Sequence, residues 1–217
     1  MGNRKVEQGE TTRTALVEAA AALFAEKGYA DTSTGEVVAR ANVTRGALYH
    51  HFADKEEIFR AVLETVEGDI FDRVNAATAA SIEAGAGDPA SLLRVGTDTF
   101  LDACLDRPVQ RILLQESTSV LGWSHWQRLD NPRCPRRLLA HGLAQAVDAG
   151  MIAEQPAEPL THLLYGALVQ AGMIIAGADD PVATRAAMGT AVERLLDALF
   201  AAGTGHPVRD RHRSLAP

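Results

Sequence analysis

Apolar residues recur at helical spacing along nearly the whole chain, and strict two-residue alternation is hard to find. Leu16, Ala20, Leu23 and Phe24 predict a first helix over 12–25, with Gly28 placed to end it. The stretch "STGE" at 33–36 has the form of a capping box and opens a short second helix through Val37, Val38 and Arg40. After the turn "ANV", Thr44 is suited to cap a third short helix that ends near His51. "DKEE" at 54–57 opens a fourth, with Asp54 as cap and Glu57 at the box position. Its apolar positions Ile58, Val62, Val66, Ile70 and Val74 run well past the first three helices, as a connector between two bodies would.

Beyond "EAGAGDP" the pattern stays helical. Asp88-Pro89 start one helix through Leu92, Leu93, Phe100 and Leu101, and Pro108 starts another through Ile112 and Leu113. A looser stretch, "SVLGWSHWQRLDNPRCP", leads into a helix from Arg136 that ends at Gly150. Pro159 and Pro181 head two strongly apolar helices, Leu160 to Ala176 and Val182 to Ala201. The tail "GTGHPVRDRHRSLAP" has no periodicity and is expected to be disordered. The expected architecture is therefore all-α. A helix-turn-helix unit at 10–56 is joined by a connector helix to a larger helical body at 57–203, with a tail at 204–217.

Composition narrows the function. The scarcity of aromatics, 5% of 217 residues, favours helices over sheets. A formal net charge of -7 argues against indiscriminate coating of nucleic acid, and basic residues within 1–60 are slightly outnumbered by acidic ones. Any case for DNA must rest on where the charges point. The two cysteines, Cys104 and Cys134, lack CxxC spacing, so neither a disulfide framework nor a zinc site is indicated. No uninterrupted apolar run approaches the ~20 residues of a membrane span, and the polar start MGNRKVEQGE lacks the apolar segment of a secretory signal. A cytoplasmic location is expected, with no membrane partner.

Two short helices joined by a tight turn and packed by a third describe a helix-turn-helix, whose second helix enters the major groove. At ~100° per residue, Leu48 and Phe52 fall on one side of helix 44–51, facing the packing helices. Opposite lie Gly46, Ala47 and His50, flanked by Arg45 and Tyr49. That side is small at its centre, as close approach to DNA requires, although Gly inside a helix costs ~1 kcal/mol. Arg45 has the fork that suits guanine O6 and N7, Tyr49 and Lys55 suit phosphate, and Thr44 can cap its helix and touch a phosphate together. His50 can reach a base edge or a phosphate. For His51, a cap or interhelical hydrogen bond competes evenly with DNA contact. Adjacent His50 and His51 diverge too far around the helix to chelate one ion, so no metal and no cofactor is expected.

The segment from Thr12 to Val62 closely resembles the DNA-binding domain of the TetR family of transcriptional regulators. The family pattern is carried by Ala-x-x-Leu-Phe, Gly-Tyr, Thr/Ser-x-x-x-Val-Ala and Val-Thr-Arg-Gly-Ala-Leu-Tyr-His-His-Phe-x-x-Lys-Glu. The resemblance implies an all-helical homodimer that binds a two-fold symmetric operator and leaves it when a small ligand enters the C-terminal domain. Mapped residue by residue, it implies DNA contacts at Thr34, Thr44, Arg45, Gly46, Tyr49, His50 and Lys55. Gly35 departs from the helix formers commoner at its position, and Arg4, Lys5 and Arg13 are expected to assist from an N-terminal arm.

The larger body offers no Gly-rich phosphate loop, nucleophile elbow or HExxH. Trp123, Trp126, His141, His162, Tyr165, Gln170 and Met173 are its candidates for a ligand cavity, with ordinary core or interface the blander alternative for each. In the last two helices, small residues Gly166, Ala167, Ala171 and Gly172 interleave with large ones. A four-helix dimer interface is expected there, using Leu164, Leu168, Ala171 and Ile175 with Val192, Leu195, Leu196 and Leu199. The leading reading is a ligand-responsive repressor and not an enzyme. The rivals are a DNA-binding protein without a ligand, repressor or activator, and a helical enzyme using His141, His162 or Cys104.

Overall fold

The computed structural model describes residues 2–122 and 131–204, and among them every regular element is helical. α1 (Gly2–Lys27) is followed by α2 (Thr34–Ala41), α3 (Arg45–His51) and the long α4 (Lys55–Glu83). α5 (Pro89–Ala103) leads to a π-helix (Val109–Glu116) that runs directly into α6 (Ser117–Leu121). α7 (Pro135–Asp148), α8 (Ala157–Ala176) and α9 (Pro181–Thr204) complete the chain. Trp123 and Trp126 lie outside the described residues, as does the tail beyond Thr204.

The helix starts follow their caps. Ser33 accepts from Glu36 N while Glu36 accepts from Ser33 N, so the capping box of α2 is complete. Thr44 accepts from Ala47 N at 3.2 Å to start α3, and Asp54 accepts from Glu57 N at 2.8 Å to start α4. Asp88 caps α5 through Ser91 N at 3.0 Å. Glu57 reaches one residue further back than a box would, to Ala53 N at 2.6 Å.

Three expectations are corrected and a fourth is qualified. α1 begins at Gly2, so the segment carrying Arg4 and Lys5 is helical backbone and not an extended arm. α8 starts at Ala157, ahead of Pro159, because the first turn of a helix has no use for the N–H that proline lacks. The helix after Pro108 has π geometry. Finally, α8 is long and apolar enough to cross a membrane, with a mean hydropathy of 1.4 over its most apolar stretch. Thr161, His162 and Gln170 hid that in the sequence; one of its faces packs into the protein through Leu164, Leu168 and Ile175.

A single apolar core runs from α1 to α9. In the N-terminal unit, Phe24, Tyr29 and Phe59 form a ring cluster with centroids 5.3–5.7 Å apart, and Leu16, Val37, Leu48 and Phe52 close around it. Buried positions of α4, Ile58, Val62, Val66, Ile70 and Val74, carry this core into the body, where it meets Leu101, Ile112, Leu143 and Leu196.

Candidate functional site

α3 divides as helical geometry requires. Leu48 and Phe52 are buried, whereas Thr44, Arg45, Gly46 and His50 are exposed and Tyr49 is 52% exposed. Thr34 lies half-buried at the first turn of α2, on the neighbouring helix. A methyl group added at Gly46 would meet only Thr44 Oγ1, at 3.9 Å, and one added at Gly35 only Ser33 Oγ, at 3.8 Å. The fold itself therefore has room for side chains at both glycines.

His51 turns the other way. It is half-buried, and a methyl at Gly9 of α1 would lie 3.8 Å from its Cε1, so it packs where α1 passes. Its ring meets that of His50 edge-on at 5.2 Å. Arg13 stacks its guanidinium 5.2 Å from the Phe52 centroid, capping the core from outside. Lys55, expected at a phosphate, points inward. Its ammonium donates to Tyr29 O at 2.8 Å and Thr32 O at 3.0 Å, and sits 4.1 Å from the Tyr29 ring centroid. Lys55 thus ties the start of α4 to the turn between α1 and α2.

Two ion pairs fix α2 against α1: Lys27 with Glu36, and Arg40 with Glu26 at 2.8 Å. The Lys27 ammonium, followed by the Ser33 donors, holds the Glu36 carboxyl down at about 2. The Arg40 guanidinium likewise lowers that of Glu26.

The π-helix joins this unit to the body, and the sequence reading missed it. Arg107 Nε donates to Ala25 O at 2.9 Å and its Nη2 to Glu26 O at 3.0 Å, while Arg111 Nη2 reaches Lys27 O at 3.4 Å. These are the carbonyls that the C-terminus of α1 leaves without helical partners. Glu116 accepts from Tyr29 N at 2.9 Å and pairs with Arg111 at 3.1 Å. In an α-helix, residues five apart point ~140° away from each other; the π repeat brings Arg111 and Glu116 to one side. Contacts between residues more than 80 apart leave no local trace in a sequence.

Between α4, α5, α7 and α8 lies a cavity of about 260 Å³. Its walls include Val74, Leu93, Leu139 and Leu168, and the tilted pair Phe100–Tyr165, with centroids 6.0 Å apart, closes one side. Asn75, Ile82, His141 and Gln145 stand at its exposed edge. Of the expected ligand-cavity residues, His141 and Tyr165 are brought together here. His162, Gln170 and Met173 are not: they face outward on α8. Side-chain direction on an apolar helix depends on which neighbour packs against it, which the sequence does not state.

The expected interface stripe needs the same correction. Leu164, Leu168, Ala171, Ile175, Val192 and Leu196 are buried within the protomer, and Leu199 is half-buried against its core. Only Leu195, 56% exposed, stands outward. The outward apolar face of α8 is Leu163, Gly166, Ala167 and Ile174, with Leu163 74% exposed; on α9 it is Ala187, Ala191, Leu195 and Ala198.

Burial pushes the Cys104 thiol up to about 12, so it carries no thiolate at neutral pH. His162 is exposed and away from the cavity that His141 lines. Among the described residues no group of His, Cys, Asp and Glu could hold a metal ion.

Known proteins share this organisation. Residues 16–62 match the family described as bacterial regulatory proteins, tetR family, and residues 90–199 match the tetracyclin repressor-like C-terminal domain. The HTH-type transcriptional regulator AcrR of Shigella flexneri is 31% identical over 118 residues, 53% of this chain and 52% of that protein. The chain thus spans about half the length of that relative. BetI of Burkholderia ambifaria is 29% identical over 187 residues, 85% of this chain and 92% of its own. The crystal structure of a TetR-family transcriptional regulator from Pectobacterium atrosepticum superposes with a TM-score of 0.70 at 32% identity, covering 89% of this chain and 96% of that one.

Proposed function

Because this chain belongs to the TetR family of bacterial transcriptional regulators and carries its DNA-binding helix-turn-helix, we propose that it is a homodimeric repressor, released from a palindromic operator when a small molecule fills the cavity between α4, α5, α7 and α8. One observation carries this reading: α3 exposes Arg45, Gly46, Tyr49 and His50 around a centre with room to spare, while Leu48 and Phe52 anchor it. Such a helix enters the major groove. Arg45 then meets a guanine edge, and Tyr49, Thr44 and Thr34 meet phosphates. His50 takes a base edge or a phosphate. Lys55 acts from behind, holding the α1–α2 turn through Tyr29 O and Thr32 O. The protein works in the cytoplasm, where its DNA is.

The outward faces of α8 and α9 pair with those of a second copy, and the small residues Gly166, Ala167, Ala187 and Ala191 let the helices approach closely. This places two α3 helices in successive major grooves about 34–36 Å apart. The cavity and α3 communicate through α4, which lines the cavity with Val74 and Thr78 and begins beside Lys55. The clamp of Arg107, Arg111 and Glu116 is a second path. A coupling of about 1–3 kcal/mol is typical of such pairs of sites and changes operator occupancy by an order of magnitude or so.

The test is fluorescence anisotropy on DNA selected from genomic fragments, across a salt series, with Arg45→Ala and Tyr49→Phe beside the unmodified protein. Binding to a palindromic fragment, weakened by both substitutions and less selective with Arg45→Ala, supports the reading. Binding indifferent to both would end the role given to α3.

A further inference from the structure

The cavity between α4, α5, α7 and α8 is selective in its chemistry. At about 260 Å³ it is smaller than the ~300–1,000 Å³ that sites for drug-sized ligands occupy. No Asp, Glu, Lys or Arg lines it. His141 stands at the exposed edge, so an ionised ligand seated in the apolar interior would give up its water with no buried counter-charge beside it, which is unfavourable. Burial pushes the Tyr165 hydroxyl well above its usual range, so this wall stays neutral too.

Among the polar groups of its wall, the hydroxyls of Thr78 and Thr97 come from α4 and α5, beside that of Tyr165 on α8 and the Asn75, His141 and Gln145 side chains at the edge. Thr97 is buried, and its Oγ1 donates to Leu93 O at 2.9 Å; Thr78 Oγ1 donates to Val74 O at 2.9 Å. Each hydroxyl has one proton, already committed to its own helix, so what remains is acceptor capacity alone. The apolar remainder, with the Phe100–Tyr165 pair, suits a flat hydrocarbon body.

From these features we propose that the cavity takes a compact, uncharged, largely apolar molecule bearing a hydroxyl donor: a small aromatic or alicyclic alcohol. This rests on the reading of the cavity as the effector site. Leu93, Leu139 and Leu168 cover the hydrocarbon, Thr97 and Thr78 share the acceptor role for the one proton of its hydroxyl, and Asn75 and Gln145 stand between it and water.

Calorimetric titration of the full chain with 2-naphthol, 2-methoxynaphthalene and 2-naphthoate separates the requirements, since the three share a ring system and differ in donor and charge. The alcohol is expected to bind, the ether about fivefold more weakly for want of one hydrogen bond, and the anion not measurably. Thr97→Val and Thr78→Val are each expected to reduce the preference for alcohol over ether while leaving ether affinity unchanged. The more exposed Thr78 keeps the comparison available if the buried valine unfolds the protein. The proposal is overturned if naphthoate binds as well as naphthol, if ether and alcohol bind alike, or if the alcohol does not bind at millimolar concentration. Alcohol binding that leaves operator affinity unchanged in the anisotropy assay would uphold the ligand class and refute release from DNA by that ligand.

Discussion

Gly46 sits exposed in the first turn of α3 with space around it, a position where Ala would hold the helix more firmly. Gly46→Ala is expected to raise stability by up to ~1 kcal/mol in chemical denaturation and to weaken operator binding, because on the proposed docking the added methyl stands where DNA comes closest. A variant that gained stability and kept its affinity would remove the case for close approach. Glu36 makes a second prediction at this scale. Its carboxyl is held at about 2 by Lys27 and Ser33, against the ordinary value of 4.5. A lowered carboxyl stabilises the fold above its unfolded value and loses that contribution as pH falls through the folded one. Contacts between α1 and α2 should therefore weaken between about pH 4.5 and pH 2, and Glu36→Gln should flatten that limb of the acid unfolding curve followed by circular dichroism. The sequence made these residues legible because capping and helical facing are local: Ser33, Thr44, Leu48, Phe52 and Tyr49 stand as their spacing says. Lys55 was legible as a cation, but not as one whose hydrogen bonds turn inward to Tyr29 and Thr32.

Elements were read well where a helix is bounded by caps and prolines and poorly where its packing partner is distant. α2, α3, α4 and α5 begin at the expected cap residues. The π-helix was invisible because its apolar residues Val109, Ile112 and Leu113 also fit an α-helical repeat. Its charged side has a counterpart in Gly28, which ends α1 with a φ of 88°. A Cβ there would collide with Arg111 and Glu116. Gly28→Ala is expected to lower stability by at least about 1–2 kcal/mol, since left-handed backbone alone costs that much for an alanine. The denaturant midpoint measures it, and a loss no larger than that of an exposed loop substitution would mean the clamp yields freely.

For the whole molecule, the proposed assembly rests on the outward faces of α8 and α9. Small and large residues along both helices indicated an interface, but burial assigns Leu164, Leu168 and Ile175 to the protomer's own core and leaves Leu163 and Leu195 outside. An amphipathic pattern identifies an apolar stripe and not its owner; α8 has two. Leu163→Glu is expected to shift sedimentation from dimer to monomer and abolish cooperative operator binding while leaving helicity intact. Leu164→Glu should instead unfold the protomer, because its charge would enter the core without a partner. Equal behaviour of the two variants would contradict the assignment of faces.

The clamp on α1 also bears on how regulators of this architecture can be recombined. Grafting a DNA-reading unit onto another body assumes a boundary that can be cut, and residue 56 looks like one on the sequence. Here the last carbonyls of α1 are capped by Arg107 and Arg111, which belong to the other side of that cut. A chimera joined in α4 would inherit a foreign helix in place of the π-helix and lose those caps. Such exchanges should succeed when residues 107–116 travel with the N-terminal unit, making the transplantable piece discontinuous in sequence though contiguous in space.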